Sequence, residues 1–199
     1  MSMQPWNTVF IIGFIAYIVI RGVFEERTKG VEKSVSRVDS CERALMSLVF
    51  AGCILLPVVY LFTGWVAFAD YLLPSFVPWA GTAAMVAALW LFWRSHADLD
   101  QNWSRTLELR KAHQLVRHGV YSSIRHPMYA AILLFSLAQG MLLENWLAGW
   151  SGIVAFAVMY FVRTPREEQM MCECFGDEYR DYMRQSGRIF PRIRTKGDA

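Results

Sequence analysis

The chain has 199 residues, enough for one domain and too few for two comfortable ones. Apolar residues make up 55% and charged residues 19%, against about 45–50% and about 25% in an average soluble domain, so composition points to a membrane protein. The net charge of +3 is spread without a basic stripe, which argues against nucleic acid, and four cysteines and four histidines offer no recognisable zinc set, so no metal is expected.

Taken in chain order, five apolar segments stand out, at about 6–24, 44–69, 78–93, 127–143 and 146–162. A spanning helix needs about 20 apolar residues, with a range of about 17–25, and the last two segments are at the short end. Met1 to Trp6 carry no positive charge, so the first segment reads as a span and not as a removable signal. Pro74 and Pro78 suggest a turn, with the third helix starting near Pro78. Only Glu144 and Asn145 separate the last two segments, which therefore read as a tight helical hairpin.

All 20 Lys and Arg residues fall into three stretches: six in 21–43, six in 94–125 and eight in 163–196. With five spans these stretches share one side. The positive-inside rule makes that side the cytoplasm, with the N-terminus outside and the C-terminus inside, in a cell's inner membrane. Stretch 21–43 mixes both charge signs and reads as a solvated connector. From Glu167 to about Gln185 apolar residues recur at helical spacing, which predicts an amphipathic helix on the bilayer or capping a site. The fold class expected is all-α integral membrane, one domain over 1–199.

Chemistry is therefore sought on the cytoplasmic side. Segment 113–129 reads HQLVRHGVYSSIRHPMY. Pro127 opens an apolar run, so Arg125 and His126 sit at a helix N-terminus, whose unpaired N–H groups favour an anion. An ordinary interfacial Arg and His is the plainer reading. Directly after the fifth segment comes Arg163-Thr164-Pro165-Arg166-Glu167-Glu168. Pro165 is expected to kink or restart the helix. If helical geometry persists, Arg163 and Glu167 share a face. They form either an anchor with an exposed ion pair, or a cation for an anionic substrate beside an anion for a polar ligand.

The H-x-L-V…G-x-Y…R-H-P-x-Y segment, the R-x-x-x-E-E segment and the F-G-D-E-Y-x-x-Y run resemble the isoprenylcysteine carboxyl methyltransferases, as do D-L-D-Q-N-W-S and the terminal G-R-I-F-P in small prokaryotic-type members. The resemblance covers a catalytic region at about 98–191. It implies an integral membrane enzyme that transfers a methyl group from S-adenosylmethionine to the terminal carboxylate of a prenylated cysteine or similar lipid-soluble acid, leaving S-adenosylhomocysteine. It implies cofactor contacts at His113, Gln114, Leu115, Val116, Tyr121, His126, Pro127, Met128, Tyr129 and Glu167. Arg163 becomes the catalytic, substrate-carboxylate-binding residue. Membrane lipids are the other expected partners. Two alternatives remain: an amine-acceptor methyltransferase, such as one acting on a phospholipid headgroup, and a non-catalytic membrane scaffold.

Overall fold

The computed structural model describes residues 4–28, 39–100 and 114–192 with side chains, and 33–36 and 108–110 by backbone. Helix α1 is Pro5–Arg27, with proline in its first turn and Thr28 at its end, where the threonine hydroxyl donates to the Phe24 carbonyl at 3.1 Å. Strand β1 (Lys33–Ser36) pairs antiparallel with β2 (Glu108–Arg110), a short ribbon that the all-α reading omits. The fold is otherwise helical.

Helix α2 (Ser40–Phe50) begins at Asp39, whose carboxylate accepts the Glu42 N–H at 2.8 Å. This local bond fixes the first turn and with it the position of Glu42. The helix widens into a π turn at Ala51–Leu55 and continues as α3 (Leu56–Thr63). Pro57 is the cause that sequence supplies, because it lacks an N–H and its ring crowds the preceding turn. The Leu56 N–H bonds to the Ala51 carbonyl, so the Gly52 carbonyl loses its helical donor. Side chains replace it: Gln139 Nε2 donates at 3.0 Å and Ser151 Oγ at 2.7 Å. A Cβ on Gly52 would lie 2.7 Å from the Ser151 carbonyl oxygen, so this close approach of two helices requires glycine.

Helix α4 (Val77–Leu99) packs along α5 (Pro127–Leu142), which packs along α6 (Trp146–Phe175). The expected hairpin between the last two is present. Asn145 caps α6 by accepting the Leu147 and Ala148 N–H groups, while its amide donates to the Val66 carbonyl and Asp70 Oδ1, both at 2.7 Å. Phe10, Met85, Phe135 and Leu142 lie in the core between these helices.

Among the described residues three helices are long and apolar enough to cross a membrane: Pro5–Arg27, the compound Ser40–Thr63, and Trp146–Phe175; α5 is a shorter apolar helix. The chain is accordingly an integral membrane protein. Several expected boundaries move. The second segment ends as helix at Thr63, six residues before the expected limit of 69, and α4 extends to Leu99. Helix α6 runs unbroken through Pro165, because proline removes one hydrogen bond and the flanking Arg163, Thr164, Glu168 and Met170 are all buried against neighbours. The single amphipathic helix expected over 167–185 is two pieces. Gly176 adopts φ +55°, a conformation that disfavours side chains, and α7 (Asp177–Gln185) starts after it.

Candidate active site

The N-terminal end of α5 meets the α2 N-terminus, the charged extension of α6 and the chain after α7. Strand-like pairing sets this up. The Gly187 N–H donates to the Ser123 carbonyl, the Arg125 N–H to Gly187 and the His126 N–H to Arg188, all at 2.8–2.9 Å. These bonds take the N–H groups just before α5 and leave untouched the first-turn N–H groups after Pro127, which the sequence reading offered to an anion. Upstream, Gly119 turns with φ +58°, and a Cβ there would collide with the Asp98 carboxylate. Asp98 accepts the Val120 N–H at 2.9 Å and pairs with Arg94 at 2.7 Å. Tyr121 is buried beyond this turn; its carbonyl accepts the Tyr182 hydroxyl at 2.5 Å. Burial, with the charges of Glu167 and Asp98, raises the Tyr121 phenol well above its ordinary range.

Two charged knots result. In the first, Tyr129 donates to Glu167 Oε2 at 2.6 Å, and the His126 ring stacks on Tyr129 at 5.3 Å between centroids. His126 Nδ1 is 3.8 Å from Glu167 Oε1, and Arg163 Nε is 3.8 Å from Glu167 Oε2, the four-residue spacing on one helix face. Arg163 Nη1 also pairs with Glu42 at 2.9 Å, and Glu42 is fully buried. In the second, Glu168 receives Arg125 Nε at 3.1 Å, Arg188 Nη2 at 2.7 Å and His126 Nε2 at 3.4 Å. Burial pushes the Glu168 carboxyl up, but hydrogen bonds from His126 and Arg188 and the Arg125 charge outweigh it and hold the group down at about 2. Arg125 Nη1 additionally donates to the Met183 carbonyl at 3.0 Å and to the Ser186 carbonyl.

Of the residues expected from sequence, the structure joins His126, Tyr129, Arg163 and Glu167 in direct contact. Tyr121 is buried nearby, Pro127 opens α5, and Met128 is half-buried. Gln114 is exposed, while Leu115 and Val116 are half-buried; none of the three touches the knot through a described contact. His113 lies outside the described residues. Glu42 was read as part of a solvated connector and is instead the buried partner of Arg163. The signal that could have flagged it is an Asp39-x-x-Glu42 start directly before an apolar run, which places that glutamate in a helix's first turn at the membrane surface.

Residues 79–173 match the family model of isoprenylcysteine carboxyl methyltransferase. The resemblance carried by the motifs stands. Protein-S-isoprenylcysteine O-methyltransferase of Tribolium castaneum is 33% identical over 94 residues, covering 46% of this chain and 34% of that protein. Cobalt-zinc-cadmium resistance protein CzcN of Cupriavidus metallidurans is 30% identical over 118 residues, covering 58% of this chain and 54% of that protein. The chain thus spans about a third to a half of the length of these relatives. A solved structure of the eukaryotic intramembrane Ras methyltransferase ICMT (isoprenylcysteine carboxyl methyltransferase) superposes with TM-score 0.55 at 21% identity, covering 96% of this chain and 70% of that one. That likeness is one of fold. His126, Tyr129, Arg163 and Glu167 all fall inside the matched family region, whereas Glu42, Tyr182 and Arg188 fall outside it.

Proposed function

We propose that this protein methylates the carboxylate of a lipid-like acid, an isoprenylcysteine terminus in the first instance, using S-adenosylmethionine. The observation that carries the reading is the convergence of His126, Tyr129, Arg163 and Glu167 at the membrane–cytoplasm boundary of a chain matching this family. The residues fit the donor. Glu167 is an anion with a partly exposed side chain, beside a stacked aromatic pair, which suits a ligand that is both cationic and ring-bearing. When bound, S-adenosylmethionine supplies a methyl group already activated on a sulfonium.

Glu167 attracts the donor's positive charge, and the Tyr129 hydroxyl fixes the carboxylate that does so. Tyr121, His126, Pro127, Met128 and Tyr129 form the donor's wall, with His113, Gln114, Leu115 and Val116 completing it. Arg163 orients the acceptor. A carboxylate acceptor has an ordinary pKa of about 3.3–3.7 and is ionised at neutral pH, so no general base is needed. Catalysis is then alignment, which contributes as much as about 7–11 kcal/mol. Arg163 is itself held by Glu42 and Glu167, so its grip on the acceptor is shared. That avoids stabilising the ground state more than the transition state. Five spans are proposed, with α4 and α5 added to the three already named; the N-terminus lies outside, and the site faces the cytoplasm of an inner membrane. Residues 1–199 act as one domain.

Incubation of detergent-purified protein with radiolabelled donor and farnesylated N-acetylcysteine tests this. A base-labile methyl ester is the expected product. Arg163→Ala is expected to lower turnover by about 100-fold or more, the scale of losing a charge-stabilising donor, while donor binding changes little. Unchanged turnover in that variant removes Arg163 from the mechanism. A second reading, an amine acceptor, draws on Glu42 and Glu167, which together place two carboxylates around one guanidinium. A base-stable methylated product from an amine-headed lipid favours it.

A further inference from the structure

The end of the molecule opposite the charged knots holds a second cavity. Its volume is about 230 Å³, and it is lined by Gln4, Tyr60, Asp70, Tyr71, Leu72 and Glu144. These residues come from the start of α1, the end of α3, the link before α4 and the α5–α6 turn. The walls are held by hydrogen bonds. The Tyr71 N–H donates to the Glu144 carbonyl at 3.1 Å, and the Leu73 N–H to Glu144 Oε1 at 3.3 Å. Trp150 Nε1 donates to the Tyr71 hydroxyl at 2.9 Å, and that hydroxyl donates to the Gly140 carbonyl at 3.2 Å. The Tyr71 ring stacks on Trp146 at 4.7 Å.

Three oxygens on this cavity are not consumed by that framework. Asp70 uses Oδ1 for Asn145 and Glu144 uses Oε1 for Leu73, which leaves Asp70 Oδ2 and Glu144 Oε2 without a hydrogen bond among the described residues. Tyr60 is only 5% exposed, its ring belongs to the apolar core, and its hydroxyl makes no hydrogen bond among the described residues. No Lys, Arg or His occurs anywhere in 44–93 or 127–162, so no cationic side chain from these segments balances the two acids.

We infer that this cavity binds a primary ammonium group. An ammonium carries three N–H donors, and the cavity presents three unused acceptors: two carboxylate oxygens and the Tyr60 hydroxyl. Tyr60 and Tyr71 both line the cavity. A calcium ion takes six to eight oxygen ligands, at least twice the number of unused acceptors. The exposed Trp65, Trp79 and Trp146 mark an interfacial belt at this end of the molecule. The ammonium can therefore arrive on an aminophospholipid headgroup or as a free small amine. Neither source touches the methyl-transfer residues.

The test uses the full chain and isosteric variants. Asp70→Asn with Glu144→Gln keeps both structural acceptors while removing both charges, and Tyr60→Phe removes the third acceptor alone. Calorimetry with ethanolamine, against ethanol as the uncharged control, reads free-amine binding. Native mass spectrometry after reconstitution in phosphatidylethanolamine or phosphatidylglycerol nanodiscs reads retained lipid. Wild-type protein is expected to bind ethanolamine saturably or retain phosphatidylethanolamine selectively. Calorimetric binding without lipid selectivity assigns the free amine, and lipid selectivity assigns the headgroup. The double variant is expected to lose about tenfold or more and Tyr60→Phe about threefold, with methyl transfer unchanged in both. If ethanolamine and phosphatidylethanolamine bind the double variant as well as wild type, or if calcium binds in preference to either, the ammonium assignment is overturned.

Discussion

The two ends of this molecule solve the same problem with opposite chemistry. At the proposed outer end the polar side chains that tie helices together are neutral: Asn145 satisfies two backbone donors and two acceptors, and Gln139 with Ser151 covers the carbonyl that the Pro57 turn strips of its donor. At the end proposed to face the cytoplasm the ties are ionic, with the side chains of Glu42, Arg163, Glu168 and Arg125 all buried. Neutral amides would have joined the helices there too, at lower desolvation cost, because a buried ion pair is weak evidence for stability. The difference teaches that the cytoplasmic charges are kept for a reason other than holding the fold. Ionisable groups at membrane depth point to function.

The comparison breaks first at Glu42. Glu42→Gln leaves the Arg163 guanidinium buried without its carboxylate, and the expected loss is about 3–5 kcal/mol of stability. It is read as a lowered unfolding temperature in detergent, together with lost methyl transfer. If the variant is as stable and active as wild type, the buried pair is ornamental and the contrast between the ends fails. Asn145→Ala sharpens the other side. It removes a helix cap worth about 0.5–2 kcal/mol and the tether to Val66 and Asp70. Stability is expected to drop by about 2 kcal/mol with turnover per folded molecule unchanged. A selective loss of turnover would show that the outer end takes part in catalysis.

The smallest effect is a slope with pH. Burial pushes the Tyr182 phenol up to about 12 despite the Arg125 charge and the Ser186 contact that lower it. An unfolded tyrosine ionises near about 10. Below that pH both states are protonated, so nothing changes. Between about 10 and 12 the unfolded chain loses its proton first, and stability falls as pH rises. Tyr182→Phe is expected to flatten part of this alkaline slope in thermal melts. Tyr179, also raised by burial and by the charge of Glu168, supplies another part. An unaltered slope in Tyr182→Phe assigns it elsewhere.

Much of this was legible in the chain itself. Hydropathy marked the three helices long and apolar enough to cross a membrane, because that signal is local in sequence. The contacts among His126, Tyr129, Arg163 and Glu167 followed from two motifs. Glu42 was not legible, since it meets Arg163 across 121 positions and its neighbours along the chain are mixed charges. The π turn and the unbroken passage of α6 through Pro165 were hidden for a related reason: both depend on what packs against the helix, which composition does not report. The roles of Gly187 and Arg188 were invisible too, because a short polar stretch carries no sign of the backbone it will pair with.

That last pairing has a consequence for how the protein matures. Residues 187 and 188 clamp the loop at 123–126, yet they are synthesised some sixty positions later, after every residue of α5 and α6. The apolar helices can enter the bilayer one after another as translation proceeds. The Arg125–Glu168–Arg188 knot can close only once residue 188 has been made, so insertion of the apolar helices can run ahead of assembly of the charged end.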